Sequence, residues 1–467
     1  MKKLKSSIAV LSIVGLCLPS VVIGMPVVAE TTVEESAKST KLGAEADPSE
    51  TKPLLEWIED PWFALYIAES LGVSRTANVS RATLENRKTL ILSDEYDPIK
   101  IKSMKGLENF KNLTRLSFFG GEVQDYSPLN DLHQLTSLTL GHFNGMKLDF
   151  IKEMPLLKNL VIYDSPLTDI SALASLKSLT HLAVNRAQVK DISVINQMPS
   201  LGFVGFDGNQ IEEIPTLQNS DQMHNLSLNQ NKIKSVEGLK GLDALITLSI
   251  TDNQVETLAP LRGLTGLQEL IAMRNKIQTM EGINEMTGLQ ELNLVRNELM
   301  EVMPVTNLKA LKELYADGNH ISNITPWKEM SDAVDWGATG QTFDIPIQKI
   351  GIGESLIIPN IMVDREGGII SYIEAFDKGI FNPDLNQMTW DNLQGEGSVD
   401  YFFRDNSTKY AGVVTVPYEV VARKALTFNQ TTDEESIPSQ AILFGDKATE
   451  PAEPTKKRIY IGGVDLE

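Results

Sequence analysis

Cysteine is almost absent. Cys17 is the only one in 467 residues, so no disulfide can close within the chain and no cysteine-based zinc site can form. Histidine is sparse. His133, His142, His181, His224 and His320 are scattered, without the HExxH spacing of a zinc hydrolase. Basic charge is in deficit: 42 Lys and Arg against 62 Asp and Glu give a formal charge of -20. A nucleic-acid partner would want a basic stripe, so that partner is not expected. Past the first thirty residues no apolar run is long enough to span a bilayer. What is plentiful is apolar material: 42% of residues are hydrophobic, enough for a large core. The length suggests roughly three domains at about 150 residues each.

The chain starts MKKLKSSIAVLSIVGLCLPSVVIGMPVVAE. Three lysines, a short apolar run containing Pro19, and small residues ending at Ala29 read as a secretory signal peptide over 1–29 rather than a membrane anchor. Leu16 before Cys17 is a poor fit to a lipoprotein box. Cleavage after Ala29 would remove Cys17 and leave no thiol, excluding cysteine catalysis. Residues 30–52 are polar and acidic, and read as a disordered linker. Residues 53–72 carry Trp62, Ala64, Leu65, Ile67, Ala68 and Leu71 at helical spacing, with Gly72 as a stop signal.

From Leu113 the chain repeats every 22 residues. Ten rows, starting at Leu113, Leu135, Leu157, Leu179, Leu201, Met223, Leu245, Leu267, Leu289 and Leu311, run without insertion or deletion. Counting from each row's first residue, offsets 0, 3, 5, 10, 13, 16 and 19 are apolar, with only Gly145 and Ser220 as exceptions. That is the signature of a leucine-rich-repeat solenoid. One turn cannot bury its own leucines, so stacked turns share a continuous core. The expected fold is an α/β leucine-rich-repeat solenoid: a curved parallel sheet on the concave face, roughly 45 Å long for ten strands, and short 3-10 or helical returns on the convex face. Asn209, Asn231, Asn253, Asn275, Asn297 and Asn319 fill offset 8 in six successive rows as a structural ladder. The first four rows have Gly121, Phe143, Ser165 and Ala187 there, so looser or differently curved turns are expected at that end. Phe143 reads as a local packing substitution.

An open stack needs both ends covered. Residues 53–112 read as a helical cap with a degenerate first turn beginning near Ile91, where Ile101, Met104, Leu107 and Phe110 keep the spacing. Trp336 and Ala338 continue a half turn, closing the repeats at 113–340. Residues 341–423 hold short strand-like runs (TFDIPIQ, ESLIIPN, GGIISYIEAF, NQMTWDN, SVDYFF, AGVVTVPYEVV) and suggest an all-β immunoglobulin-like sandwich. Its expected core is Phe343, Ile345, Ile357, Ile373, Trp390, Tyr401, Phe403, Val414 and Val416. Residues 424–467 are too short for an ordinary independent domain.

Rows such as LTDISALASLKSLTHL (167–182) and VETLAPLRGLTGLQEL (255–270) resemble the internalin repeats of Gram-positive bacteria. ESLIIPN, QMTWDNL, VDYFF and AGVVTVPY resemble strands of the internalin Ig-like domain, and SQAILFGDKATEPAEPTKKRIYIGGV is similar to the first half of the small β repeat that follows it in long internalins. The resemblance implies a secreted or cell-surface protein acting in bacterial adhesion to, or entry into, host cells. The pattern departs in two ways: the first four rows lack the Asn ladder, and no LPxTG-type sorting signal occurs within the chain.

Strand alternation puts offsets 2, 4, 6 and 7 on the open face. Those columns supply Phe119, His142, Tyr163, Asp164, His181, Arg186 and Phe203 in the first half, then Glu269, Met273, Arg274, Glu291, Arg296, Glu313 and Tyr315. Exposed aromatics and Arg favour a protein partner, probed by a Phe203→Ala, Tyr163→Ala double change. The alternative is that the aromatics fold down on neighbours. Glu269, Glu291 and Glu313, with Arg274 and Arg296 beside them, are either a steering patch or a self-satisfied ion-pair network. His142, Asp164 and His181 could approach each other, but no nucleophile or oxyanion pocket is signalled. The expected protein is a monomeric binder of a receptor protein, probed first on host cells, with no cofactor, metal or enzymatic activity. A structural or bacterial cell–cell adhesion component, or a carbohydrate-binding module, is the alternative.

Overall fold

The computed structural model describes residues 47–92, 101–120, 122–218, 221–370 and 372–422. The expected signal peptide, most of the linker, Gly121, Ser220 and the tail from 424 lie outside the described residues.

The cap starts inside the segment read as linker. Strand β1 (Thr51–Pro53) pairs antiparallel with β2 (Asn78–Ser80). The single helix expected over 53–72 is two, α1 (Leu54–Trp57) and α2 (Pro61–Leu71), followed by α3 (Arg81–Glu85). Pro61 cannot continue α1, since it lacks an N–H, but suits the first turn of α2. Asp60 between them is nearly buried. One carboxylate oxygen caps α2, accepting from the N–H of Trp62 at 2.9 Å and Phe63 at 3.0 Å. The other accepts from Lys102 N–H at 2.8 Å and Ser103 N–H at 3.2 Å, so one side chain fastens the helix to the turn below it. Gly72 closes α2 in the left-handed conformation, φ 66°.

The repeats form a parallel sheet in strict register. Strand β3 (Thr89–Leu92) leads into β4 (Arg115–Phe119), β5 (Ser137–Gly141), β6 (Asn159–Tyr163), β7 (His181–Asn185), β8 (Phe203–Gly205), β9 (Asn225–Ser227), β10 (Thr247–Ser249), β11 (Glu269–Ile271), β12 (Glu291–Asn293), β13 (Glu313–Tyr315) and β14 (Asp335–Asp344). From β4 onward each residue pairs with the one 22 positions later, as in Leu116 with Leu138 and Leu314 with Trp336. The first turn differs: Leu90, not residue 94, pairs with Leu116. That turn spans 26 residues, and Ile91 points outward and exposed. Ile101, Met104, Leu107 and Phe110 are nevertheless fully buried. Short 3-10 turns return the chain on the far side, five residues long in rows one to four, such as Ser171–Ser175, and three residues long later, such as Ala259–Leu261. Gly145 breaks the apolar rule because it is exposed in a bend. Met146, one residue on, fills the core in its place.

Strand β14 belongs to two domains at once. Its first residues pair with β13 and its later ones, from Ala338 to Asp344, pair parallel with β21 (Tyr410–Val421). The repeat sheet therefore runs on into a sandwich sheet with β20 (Glu396–Arg404) and edge strand β17 (Tyr372–Ala375), while β15 (Gln348–Gly351) pairs the end of β21. The second sheet holds β16 (Leu356–Pro359), β19 (Gln387–Trp390) and β18 (Ile380–Asn382). Trp390, Tyr401, Phe403, Val414 and Val416 form its core as expected, with Phe343 and Ile373 partly buried. Ile357 is a correction: it is 52% exposed, because Leu356 and Ile358 take the inward positions of β16. Tyr410 donates its buried hydroxyl to the Ile321 carbonyl at 2.8 Å, and Arg365 Nε donates to the Trp327 carbonyl at 2.9 Å. Both bonds pin the sandwich to the last row.

Candidate functional site

The Asn ladder is the scaffold that sets the open face. In each row Oδ1 accepts the N–H at offset 10 of the row before, and Nδ2 donates to the carbonyl at offset 5 of that row. For Asn253 these are Ile233 N–H at 3.0 Å and the Leu228 carbonyl at 2.9 Å. All six asparagines are 9% exposed or less, and burial makes such bonds costly to lose. The ladder has a seventh rung that the sequence reading missed. Gln341, one 22-residue step past Asn319, accepts from Ile321 N–H at 2.9 Å and donates to the Ala316 carbonyl at 3.0 Å.

The early rows use rings instead. Phe143 is fully buried, stacks on Phe118 at 5.8 Å and meets Tyr126 edge-on at 5.5 Å; Phe118 in turn meets Phe63 of α2 at 6.0 Å. The turns there are packed shut, not loose. Ser165 makes the single short substitute for a rung, its hydroxyl accepting Phe143 N–H at 3.1 Å and donating to the Tyr163 carbonyl at 3.0 Å.

Offset 7 is a left-handed bend. His142, Asp164, Arg186, Gly208, Gln230, Asp252, Arg274, Arg296, Gly318 and Gly340 all have φ between 48° and 69°. Only Gly takes that conformation without strain, and the glycines in this column are the signal that could have revealed it.

On the open face, Phe119 and Tyr163 are half-buried. Their rings lean together at 5.3 Å over Gly141, where a Cβ would come within 2.9 Å of Tyr163 and 3.0 Å of Phe119. His142 is exposed and sets its edge against Tyr163 at 5.5 Å. His181, also exposed, stacks on half-buried Phe203 at 6.1 Å. Ala183 and Gly205, two residues on from His181 and Phe203, are buried, and a Cβ at Gly205 would meet Asn185 Oδ1 and the Phe203 ring at 3.6 Å, so the sheet is low beside that pair.

The charged groups arrange themselves differently from the expected pairing. Arg186 forms a bidentate pair with Asp164, Nε to Oδ1 at 2.6 Å and Nη2 to Oδ2 at 2.7 Å. That hydrogen bonding holds the Asp164 carboxyl below its usual range despite partial burial. His142 Nδ1 is 3.9 Å from the same carboxylate, while His181 bonds Thr180 and takes no part. Arg274 pairs with Asp252, with Nη2 to Oδ2 at 2.6 Å, not with the glutamates. Arg296 has no ion-pair partner among the described residues.

The glutamates stack alone. Glu269 pairs in register with Glu291, Glu291 with Glu313, and Glu313 with Asp335, a fourth member the sequence reading did not include. No cation bridges the three glutamates among the described residues. Burial, and then the neighbouring Glu269 and Glu313, push the Glu291 carboxyl up. Beside them Gln290 bonds Gln268 at 3.0 Å and Lys312 reaches Gln290 at 2.7 Å. Together they line an open depression of about 220 Å³. Tyr315 donates to Asp335 at 3.1 Å, and Lys409 of the sandwich reaches Asp335 at 3.1 Å. The self-satisfied network between Glu and Arg columns does not form, and Met273 sits half-buried between them.

A polar ladder at offset 6 also went unread. Asn185 Oδ1 accepts Asp207 N–H at 3.0 Å, Asp207 Oδ1 accepts Asn229 N–H at 2.8 Å and Ser227 Oγ–H at 2.7 Å, and Asn229 Oδ1 accepts Thr251 N–H at 2.7 Å. Burial pushes the Asp207 carboxyl up, against the lowering effect of those bonds.

Residues 341–418 match the family model described as the Internalin J, immunoglobulin-like domain. Comparison with curated proteins finds no match. Among solved structures, an internalin (InlF) of Listeria monocytogenes is similar at 24% identity and TM-score 0.47, over 63% of this chain and 98% of that one. The functional domain of InlJ from Listeria monocytogenes is similar at 19% identity and TM-score 0.36, over 80% and 100%. InlP of the same organism is similar at 16% identity and TM-score 0.44, over 80% and 99%. The segment that matches the Internalin J immunoglobulin-like domain shares strand β14 with the 22-residue leucine-rich stack, so the chain is a leucine-rich-repeat protein that carries an Ig-like domain of the internalin J type.

Proposed function

We propose that the protein is exported or surface-exposed and binds a protein partner on host cells through the open face of its repeat sheet, in adhesion or entry. The observation that carries this reading is the two aromatic groups, Phe119–Tyr163 with His142 and His181–Phe203, on a sheet face that no other element covers among the described residues. Half-exposed rings with Arg186 nearby are the composition of an interface centre. The low surface at Ala183 and Gly205 beside Phe203 gives an incoming apolar side chain somewhere to seat. The acidic column from Glu269 to Glu313 supports attraction of a basic rim on the same partner. The face acts by binding, with no cofactor and no catalytic step, and the protein works as a monomer.

The test is the Phe203→Ala, Tyr163→Ala double variant, measured for binding to host-cell surfaces and extracts beside the parent chain. Loss of binding by at least about tenfold, with thermal unfolding intact, supports the reading; about 1.4 kcal/mol corresponds to that factor. Unchanged binding overturns it for the first half of the face. Binding to a glycan array but to no host protein would favour the carbohydrate alternative. Self-association without host binding would favour a structural role.

A further inference from the structure

The second row holds a chemically reactive dipeptide. Asn144–Gly145 is the only Asn-Gly in the chain. Both residues are exposed in the bend after β5, and Gly145 has φ 70° with open space around the position of a Cβ. The Asn144 side chain makes no hydrogen bond among the described residues; only its backbone carbonyl is engaged, by the Tyr126 hydroxyl at 3.4 Å.

The interrupted ladder explains why this glycine's N–H is available. In the later rows the N–H at offset 10 is held by the ladder amide of the next row, as Val189 is by Asn209 at 3.1 Å and Ile211 by Asn231 at 3.1 Å. Gly145 occupies offset 10 of its row, and the residue that should accept from it is Ser165. The serine is too short and takes the Phe143 N–H instead, at 3.1 Å. Gly145 N–H has no acceptor among the described residues.

We propose that Asn144 is a site of spontaneous deamidation, made reactive by the missing rung at Ser165. The Gly145 amide nitrogen loses its proton and attacks the Asn144 side-chain carbonyl carbon. A carbon–nitrogen bond forms, the bond to the side-chain nitrogen breaks, and that nitrogen leaves as ammonia with the proton. The five-membered imide is then opened by water at either carbonyl, giving aspartate or isoaspartate. Water in and ammonia out balance the step, and no oxidant or enzyme is needed. Glycine favours attack because no side chain obstructs the nitrogen. The product places a new carboxylate two residues from His142, on the rim of the aromatic face, and isoaspartate adds a backbone methylene to the bend beside buried Phe143.

The full chain is incubated folded at mildly alkaline pH and followed by peptide mass mapping with isoaspartate detection. The expected result is conversion at Asn144 several-fold faster than at Asn209, Asn231, Asn253, Asn275, Asn297 or Asn319. Ser165→Asn, which supplies the missing acceptor, is expected to slow it several-fold without touching the reacting residues. Gly145→Ala, which crowds the nitrogen and leaves the ladder alone, is the second variant and is expected to slow it as well. Conversion no faster than at the ladder asparagines overturns the proposal. So does no conversion in the folded chain while the urea-unfolded chain converts. An unchanged rate in a folded Ser165→Asn chain overturns the role of the missing rung.

Discussion

The first rows and the last rows share one leucine frame but close their bends by different chemistry. Strands β4 to β7 run five residues, and aromatic rings fill the interior beside the first two of them. Strands β8 to β13 run three residues, and each bend is tied by an asparagine amide. The ring solution is apolar, non-directional and continuous with the cap through Phe63. The amide solution is directional and repeats with the rows. The difference teaches that offset 8 needs a filled interior and satisfied backbone groups, and that the two needs can be met separately. Phe143 fills space and leaves hydrogen bonding to Ser165. An asparagine satisfies the backbone and occupies less room.

The sharpest way to break that comparison is to remove the filler from each half. Phe143→Ala leaves a cavity among Phe118, Tyr126 and the neighbouring leucines, and is expected to cost about 4 kcal/mol, read as a lower urea midpoint with an unchanged slope. Phe143→Asn is expected not to rescue it, because the amide cannot fill the ring's volume. Asn253→Ala strands the Ile233 N–H and several carbonyls in a buried interior, with an expected cost of about 3 kcal/mol. Ser165→Ala removes a single rung and is expected to cost about 1 kcal/mol. If Ser165→Ala cost as much as Asn253→Ala, the distinction between the halves would fail.

Two smaller changes sharpen it. Asp207 lies where ladder and open face meet, and its carboxyl is pushed above the usual range by burial. A raised folded-state value means that ionising it costs stability at pH values above the unfolded value of about 3.9, increasingly until the folded value is passed. Asp207→Asn keeps the acceptor for Ser227 and Asn229, so it is expected to raise stability near neutral pH. The gain should shrink as pH falls through the carboxylate range, and a gain independent of pH would exclude this cause. Gln230→Gly relieves a left-handed bend at φ 55° and is expected to gain about 0.5 kcal/mol, the relief offset in part by the flexibility of glycine when unfolded.

The rows were legible because burial repeats on one period, and nearly every apolar offset from Leu113 to Met330 is buried. The Asn ladder was legible for the same reason, up to Asn319. Gln341 was not, because a different side chain does the same work one step later. The charged columns show where sequence period stops informing. Spacing places Arg274 near both Asp252 and Glu269, and only the left-handed bend, which aims offset 7 along its own column, decides for Asp252. The extra four residues between β3 and β4 were hidden because Ile101 to Phe110 keep the later spacing exactly as ordinary rows do. Phe119 and Tyr163 were read as exposed on the open face, and they are half-buried, because the space above Gly141 lets them lean together.

The shared strand β14 also has a mechanical meaning. The chain enters the sandwich on a strand already bonded to the last row and leaves it along β21, which lies between β14 and β20 with its end beside β15. A pull at residue 422 would therefore drag β21 lengthwise against its neighbours, loading their backbone bonds together, instead of peeling them apart one by one. Tension applied behind the sandwich would reach the rows without first straightening a joint.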